Sequence, residues 1–323
     1  MRLLVVKTSS MGDVVHALPV VADVQRAHPG ATVEWLVEAP FAAIPQLCPG
    51  VARVLPMSWR KWRGQLFSAA TWRAMGALRD ELRRQPYNLV LDLQGLLKSA
   101  LWARQAASPV AGYDRASARE GAAAWLYQRT VAVPRALHAV DRNRRLAGAH
   151  LGYSLPPGAP DFGLARPAAM PAAWKPRGAY AVLIPNASRP EKLWPEKHWI
   201  AVGRRLAEAG LKPVVLWGRD AEQTLAERIA EGCDGDVPPF LKVGEMAAVL
   251  AGAAQVVGLD TGFSHLAAAY GRPTIGIYCD HDPGLAGITG PGPVASLGGK
   301  GQVPGKAGVL ALVEAHLRAT SAA

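Results

Sequence analysis

The chain opens with a short apolar run, Leu3–Val6. Lys7-Thr8-Ser9-Ser10-Met11-Gly12-Asp13 follows, and an apolar stretch then resumes from Val14 to Pro19. Four apolar residues bounded by small polar ones predict a buried strand, and Ser9 and Ser10 suit the N-cap of a helix starting just after them. The pattern is strand, tight polar loop, helix. It places backbone N–H groups and one carboxylate, Asp13, at the carboxyl end of a strand, where open α/β sheets bind ligands.

The same alternation continues through the first half. Strands are predicted at Leu3–Val6, Thr32–Val37, Val51–Leu55, Leu89–Asp92 and Val110–Gly112. Helices are predicted at Val14–His28, Thr71–Arg84, Leu96–Ala106, Ala122–Arg129 and near Ala139–Leu151. Alternation of this kind predicts a parallel sheet with helices on both faces. Pro156, Pro157, Pro160, Pro167, Pro171 and Pro176 then interrupt it, and residues 154–177 read as an interdomain linker between domains at 1–160 and 175–323. Afterwards come strands at Tyr180–Ile184, Pro213–Trp217, Gln255–Leu259 and Thr274–Tyr278. Helices follow at Pro195–Ala209, Ala221–Ala230, Glu245–Ala251, from about Ser264, and from Gly308 to about Ala319. The expected architecture is two α/β domains in tandem with a cleft between them.

Composition narrows the function. Half of the 323 residues are hydrophobic and 19% are charged, as in a globular protein. No apolar run approaches the ~20 residues of a membrane span, and the N-terminal run is too short for a signal-peptide core. Cys48, Cys233 and Cys279 show neither disulfide nor zinc spacing, which predicts a cytoplasmic protein. The net charge of +11 calls for an anionic partner: nucleic acid, a phospholipid surface or an acidic substrate.

Several loops carry chemistry. Asp13 reads either as a helix-start carboxylate favoured by the macrodipole or as a general base, with Gly12 letting a ligand approach the backbone. Gly258-Leu259-Asp260-Thr261-Gly262-Phe263-Ser264-His265 again joins a strand to a helix. Its Thr261 and Gly262 amides form an anion site and His265 is a donor to phosphate; the plainer alternative is N-capping beside a buried histidine. Ser188 and Lys192, in the loop after the strand Tyr180–Ile184, suit a diphosphate, or belong to a solvated loop before a helix. Glu222 reads as a ribose ligand or as a surface partner of Arg219 or Arg228. Trp59-Arg60-Lys61-Trp62-Arg63 interleaves aromatics with cations, as suits an anionic sugar, a lipid phosphate or nucleic acid, or simply a solvated face. Gln94, Lys98, Arg119 and Glu120 are candidates for the same wall. Asp280-His281-Asp282 is a weak metal candidate, since adjacent residues on one loop rarely converge on an ion.

Taken together, four segments resemble glycosyltransferase family 9, the enzymes that add heptose to the lipopolysaccharide inner core. They are Val6-Lys7-Thr8-Ser9-Ser10-Met11-Gly12-Asp13-Val14 with His16 and Leu18-Pro19, and Asp92-Leu93-Gln94-Gly95-Leu96-Leu97-Lys98-Ser99-Ala100. The others are Lys192 with Trp194-Pro195 and His198-Trp199, and Asp260-Thr261-Gly262 with Ser264-His265-Leu266. The likeness runs in order along nearly the whole chain.

The resemblance implies a GT-B fold, two Rossmann-like domains facing across a cleft, with the last helix packing back on the N-terminal domain. It implies inverting transfer of heptose from ADP-heptose to the Kdo of a Kdo-lipid A acceptor. The enzyme would be a monomer without cofactor or metal, peripheral on the anionic inner face of the inner membrane, and would not bind nucleic acid. Asp13 would be the catalytic base. Ser188, Lys192, Glu222, Leu241, Asp260, Thr261, Gly262 and His265 would bind the donor. Ser10, Gly12, Arg60, Lys61, Arg63, Gln94, Lys98 and Arg119 would bind the acceptor.

Two departures bear on fine donor contacts. Cys279-Asp280-His281 stands where many relatives have Gly-Pro-Thr, and Ala187-Ser188 where some have two threonines. A sugar-nucleotide epimerase or another sugar transferase of the same fold is the alternative, and a basic nucleic-acid-binding protein a more distant one. No G-x-G-x-x-G follows a strand, which disfavours a dinucleotide-dependent oxidoreductase.

Overall fold

The structure is a computed structural model that describes residues 1–167, 170 and 174–321. It divides into two compact units, Met1–Ala165 and Arg166–Ala323, and the division falls inside the proline-rich stretch. Pro171, one of the linker prolines, lies outside the described residues.

The first unit is built on β1 (Arg2–Val6), β2 (Thr32–Glu38), β3 (Val51–Met57), β4 (Leu89–Asp92), β5 (Val110–Tyr113) and β6 (Arg129–Val131). Their order is β3-β2-β1-β4-β5-β6, and all pairings are parallel. Leu3–Val6 and Leu89–Asp92 are buried along their whole length, as strands covered on both faces must be. The strand order reverses between β1 and β4, so the loops after these two strands flank a crevice. Pro56 is accommodated because β3 is an edge strand. One apolar core, including Leu4, Leu36, Leu82 and Trp102, lies between the sheet and its helices. The helices Pro19–Ala27 and Ala139–Leu151 are joined by a buried ion pair: Arg144 Nε and Nη2 donate to the two carboxylate oxygens of Asp23 at 2.7 and 3.0 Å.

The second unit contains β7 (Tyr180–Ile184), β8 (Lys212–Val215), β9 (Gln255–Leu259), β10 (Thr274–Tyr278) and β11 (Val294–Gly298). The order β11-β10-β9-β7-β8 is again fully parallel, with its switch point between β7 and β9. Its core gathers Leu183, Trp199, Val215, Ile229, Val257 and Ile277.

Three expectations change. The helix read over Val14–His28 is two helices, Met11–Val15 and Pro19–Ala27, because Pro19 has no N–H to continue the ladder. The helix read over Ala122–Arg129 is a 3₁₀ turn, Gly121–Leu126, followed by β6. Gln128 there donates its N–H to Val110 O at 2.9 Å, which draws the chain into the sheet. β11 was not foreseen; it is short, edge-placed and only half-buried. The last helix, Lys306–Ser321, belongs to the second unit. Val309 and Val313 sit in the second unit's core and Glu314 pairs with Arg205.

Candidate active site

In the first unit, Gln94 ties the loop after β1 to the loop after β4. Gln94 Oε1 accepts the N–H of Thr8 at 2.9 Å and that of Ser9 at 3.1 Å. Gln94 is buried. Its carbonyl is therefore committed to building the loop. Asp92, fully buried below, accepts from Ser99 Oγ at 2.7 Å, Tyr127 OH at 2.8 Å and Gln94 N at 2.8 Å. Burial pushes the Asp92 carboxyl up, against those hydrogen bonds.

Lys7 completes this base, a role the sequence reading missed. Its Nζ donates to Leu93 O at 2.9 Å and lies 3.5 Å from Asn143 Oδ1. Burial lowers its pKa, and the charges of Asp13 and Asp92 oppose that. The signal in the sequence was a lysine placed directly after a buried strand.

On this base stands Asp13, in the first turn of Met11–Val15. Its Oδ2 accepts Ser10 N at 2.8 Å and Ser10 Oγ at 3.0 Å. Both sequence readings of Asp13 thus meet in one side chain: Oδ2 caps the helix, and these bonds leave Oδ1 unengaged. The exposed Arg119 places Nη1 3.9 Å from Oδ2. Gly12 is the second residue of the same helix, which brings Ser10, Gly12, Asp13 and Arg119 together.

The basic cluster is adjacent. Arg60 and Lys61 lie on the short helix Trp59–Trp62, with Arg63 at its end, and all three are exposed. Arg60 stacks 5.5 Å over the Phe41 ring, and Lys98 Nζ donates to Ser9 Oγ at 3.3 Å. Burial lowers the Lys98 pKa; Glu38 opposes this, and Arg60 and Arg63 reinforce it. Glu38 is in turn pushed up by burial, with the nearby cations acting against that. Trp62 points inward instead and packs on Trp102 at 5.4 Å.

In the second unit, the loops after β7 and β9 meet at that unit's switch point. Lys192 Nζ is 2.5 Å from Asp260 Oδ2, and His265 Nε2 is 3.4 Å from Asp260 Oδ1. Burial would raise the Asp260 carboxyl, but hydrogen bonds and charge from His265 and Lys192 hold it well below the usual carboxylate range. Thr261 stands at the N-cap position of the helix Gly262–Ala269 but makes no side-chain capping bond, so the helix's first amides lack that partner. Ser264 is structural: its Oγ donates to Leu259 O at 2.7 Å.

The remaining donor candidates separate. Ser188 is exposed on the loop after β7. Glu222 follows the plainer expectation: it accepts the N–H groups of Gly218 at 3.1 Å and Arg219 at 3.2 Å and pairs with the Arg219 guanidinium. Arg228 pairs with Glu196 instead, at 2.9 Å. Leu241 is buried beside Phe240, whose ring meets Trp217 edge-on at 5.9 Å. The weak metal candidate dissolves: Asp280 pairs with Arg189 at 3.2 Å, and Asp282 caps a short helix through Gly284 N at 2.8 Å. Among the described residues, no group of three or more His, Cys, Asp or Glu is placed to hold a metal ion.

The first unit's switch point thus carries a carboxylate among cations, and the second unit's a lysine beside a helix N-terminus. Comparison with known proteins identifies the family. Residues 75–298 match glycosyltransferase family 9 (heptosyltransferase). The chain belongs to this family. Lipopolysaccharide heptosyltransferase 1 of Pseudomonas aeruginosa is 42% identical over 292 residues, covering 90% of this chain and 82% of that one. The Escherichia coli K12 protein of the same name is 42% identical over 291 residues, covering 89% and 90%. Among solved structures, the E. coli heptosyltransferase WaaC with ADP superposes with a TM-score of 0.90 at 39% identity, covering 98% of this chain and all of that one. This family member is therefore a glycosyltransferase with the two Rossmann-like units of the GT-B class.

Proposed function

We propose that the chain transfers L-glycero-D-manno-heptose from ADP-heptose to the Kdo of a Kdo-lipid A acceptor in lipopolysaccharide inner-core synthesis, inverting the anomeric centre. The observation that carries this reading is the similarity, with a TM-score of 0.85, to WaaC holding ADP-2-deoxy-2-fluoro heptose. The second unit takes the donor. Lys192 and the Thr261–Gly262 amides hold the diphosphate and stabilise the charge that grows on it as the glycosidic bond breaks. Asp260 acts through Lys192 and His265, fixing both before the nucleotide arrives. Ser188, Glu222 and Leu241 complete the nucleotide contacts.

The first unit takes the acceptor. Asp13 removes the proton from the attacking hydroxyl, using the oxygen that capping leaves open, and proton loss accompanies bond formation because a carboxylate is a weak base. Arg60, Lys61, Arg63, Lys98 and Arg119 meet the acidic sugars, with Ser10 and Gly12 lining the approach. The enzyme works as a monomer at the anionic inner face of the inner membrane, in keeping with the charge of +11.

Mixing the protein with ADP-heptose and Kdo-lipid A should release ADP in step with a heptosylated lipid. Consumption of UDP- or GDP-sugars in preference to ADP-heptose would overturn the donor assignment. Conversion of the sugar nucleotide without ADP release would favour an epimerase.

A further inference from the structure

The loop before the helix Val243–Gly252 carries an aromatic ring that no step of the proposed chemistry uses. Phe240 is 58% exposed, while its neighbour Leu241 is buried. The loop begins beside β8. Val214 and Asp236 form a parallel bridge, and Val215 N donates to Asp236 O at 2.9 Å. Because the pairing is parallel, the chain runs on from Asp236 toward the carboxyl end of β8. Trp217, two residues past the end of that strand, meets it there. Trp217 Nε1 donates to Pro238 O at 2.8 Å, and its ring lies 5.9 Å from that of Phe240. This end of an open parallel sheet is where ligands bind.

The ring is firmly held. Pro238 and Pro239 fix their own φ angles, and Trp217 is buried against the loop. At the loop's far end Lys242 N donates to Glu245 Oε2 at 2.8 Å. The rings of Trp217 and Phe240 meet at 63° and not face to face, so Phe240 stays open to solvent. An aromatic side chain fixed in this way offers contact area with little ordering cost at binding.

The loop is also joined to the candidate diphosphate site. Asn186 Nδ2 donates to Leu216 O at 3.4 Å, which links the loop bearing Ser188 and Lys192 to the segment bearing Trp217. β8 neighbours β7 on the side away from β9, about one strand spacing of ~4.8 Å further out. A nucleoside diphosphate with its phosphates between Lys192 and Asp260 has its base one ribose away. Turned toward β10, the base would meet Asp280, a carboxylate paired with Arg189 at 3.2 Å. Turned toward β8, it meets the open ring of Phe240. From Val237 to Gly244 the one charged residue is Lys242, so nothing in this loop repels an anionic ligand.

We propose that Phe240 is the platform on which the donor's purine base stacks, and so a specificity-determining residue. The proposal rests on the donor reading of the second unit. A fused purine covers more of the ring than a pyrimidine does, so stacking here favours adenine over uracil.

The test is calorimetric titration of the full chain with ADP, UDP and inorganic pyrophosphate, in wild type, Phe240→Ala and Phe240→Tyr. Wild type should bind ADP more tightly than UDP. Phe240→Ala should weaken ADP about tenfold, lose less on UDP and leave pyrophosphate binding where it was. Phe240→Tyr keeps the ring and should bind ADP as wild type does. The side chain is largely exposed, so both variants should melt with wild type.

Unchanged ADP affinity in Phe240→Ala overturns the proposal. So does an equal loss for ADP and pyrophosphate, which would mean that Phe240 holds the loop and not the base. An equal loss for ADP and UDP would remove its part in choosing the base. Wild type that binds no ADP overturns the donor reading and the platform together, whereas ADP bound equally by wild type and Phe240→Ala faults the platform alone.

Discussion

Lys192 Nζ and Asp260 Oδ2 lie 2.5 Å apart with both side chains mostly buried. In the proposed donor site the cation assigned to the diphosphate is already partnered, and His265 shares the same carboxylate. A lysine on a flexible stem is thereby fixed, so the cost of ordering it is met in folding and not in binding.

Replacing that lysine should be felt in affinity first. Lys192→Ala is expected to weaken ADP binding about tenfold to a hundredfold, since charge-assisted bonds to phosphate contribute about 1.5–3 kcal/mol. It also leaves Asp260 with fewer partners, so the melting temperature should fall. Calorimetric titration with ADP measures the first effect, and unchanged affinity would remove Lys192 from the donor site.

Asp13 holds a cap and, in the proposed mechanism, a base, and two variants separate these. Asp13→Ala loses both; it should lower turnover about 10²- to 10⁴-fold and cost about 0.5–2 kcal/mol of stability. Asp13→Asn keeps an oxygen for Ser10 N but cannot take a proton. It should match the loss of turnover with a near-native melt. An Asn variant with near-normal turnover would show that Asp13 is only a helix cap.

Gln94 predicts a coupling between loops. Gln94→Ala leaves the Thr8 and Ser9 amides without their acceptor, at about 1–3 kcal/mol for each amide left buried and unpaired. Hydrogen exchange in the peptide spanning Thr8–Asp13 should accelerate, and turnover should drop while ADP affinity holds. Gln94→Glu, which keeps the acceptor oxygen, should restore slow exchange. Equal exchange in both variants would mean that the loop is held by something else.

Acid should destabilise the protein through two carboxylates. Burial would raise Glu34, but hydrogen bonds from Arg2, Tyr87 and Arg53 outweigh it and hold the carboxyl below its ordinary value. Asp260 is held low in the same manner. Both folded values lie below the unfolded ones of about 4.3 for Glu and about 3.9 for Asp. Their stabilisation is therefore complete above about pH 5 and is lost as pH falls through the folded values. Melting temperatures taken from pH 7 down to pH 3 should show this fall, and Glu34→Gln should lower the pH 7 value while flattening the slope. An unchanged slope would assign the acid loss to other groups.

The switch-point loops were legible in the sequence because short apolar runs ending in Lys7-Thr8-Ser9-Ser10 and in Asp260-Thr261-Gly262 leave few other readings. The pairing of Lys192 with Asp260 was not, since the residues are 68 apart and no local pattern joins them. The loop-building roles of Gln94 and Glu222 were hidden for a common reason: a polar side chain near a strand end can serve a ligand or the backbone, and only geometry shows that both accept backbone N–H groups. β6 and β11 escaped notice because edge strands carry half the apolar signal of buried ones.

The chain divides into its two units at Ala165 and Arg166, inside the proline-rich stretch. Each unit carries its own parallel sheet and apolar interior. In evolutionary terms that division is a seam: one recombination event there can join either unit to a different partner while each keeps its own interior. The half bearing Lys192 and Asp260 can thus be exchanged within the family while the loops around Asp13 stay untouched.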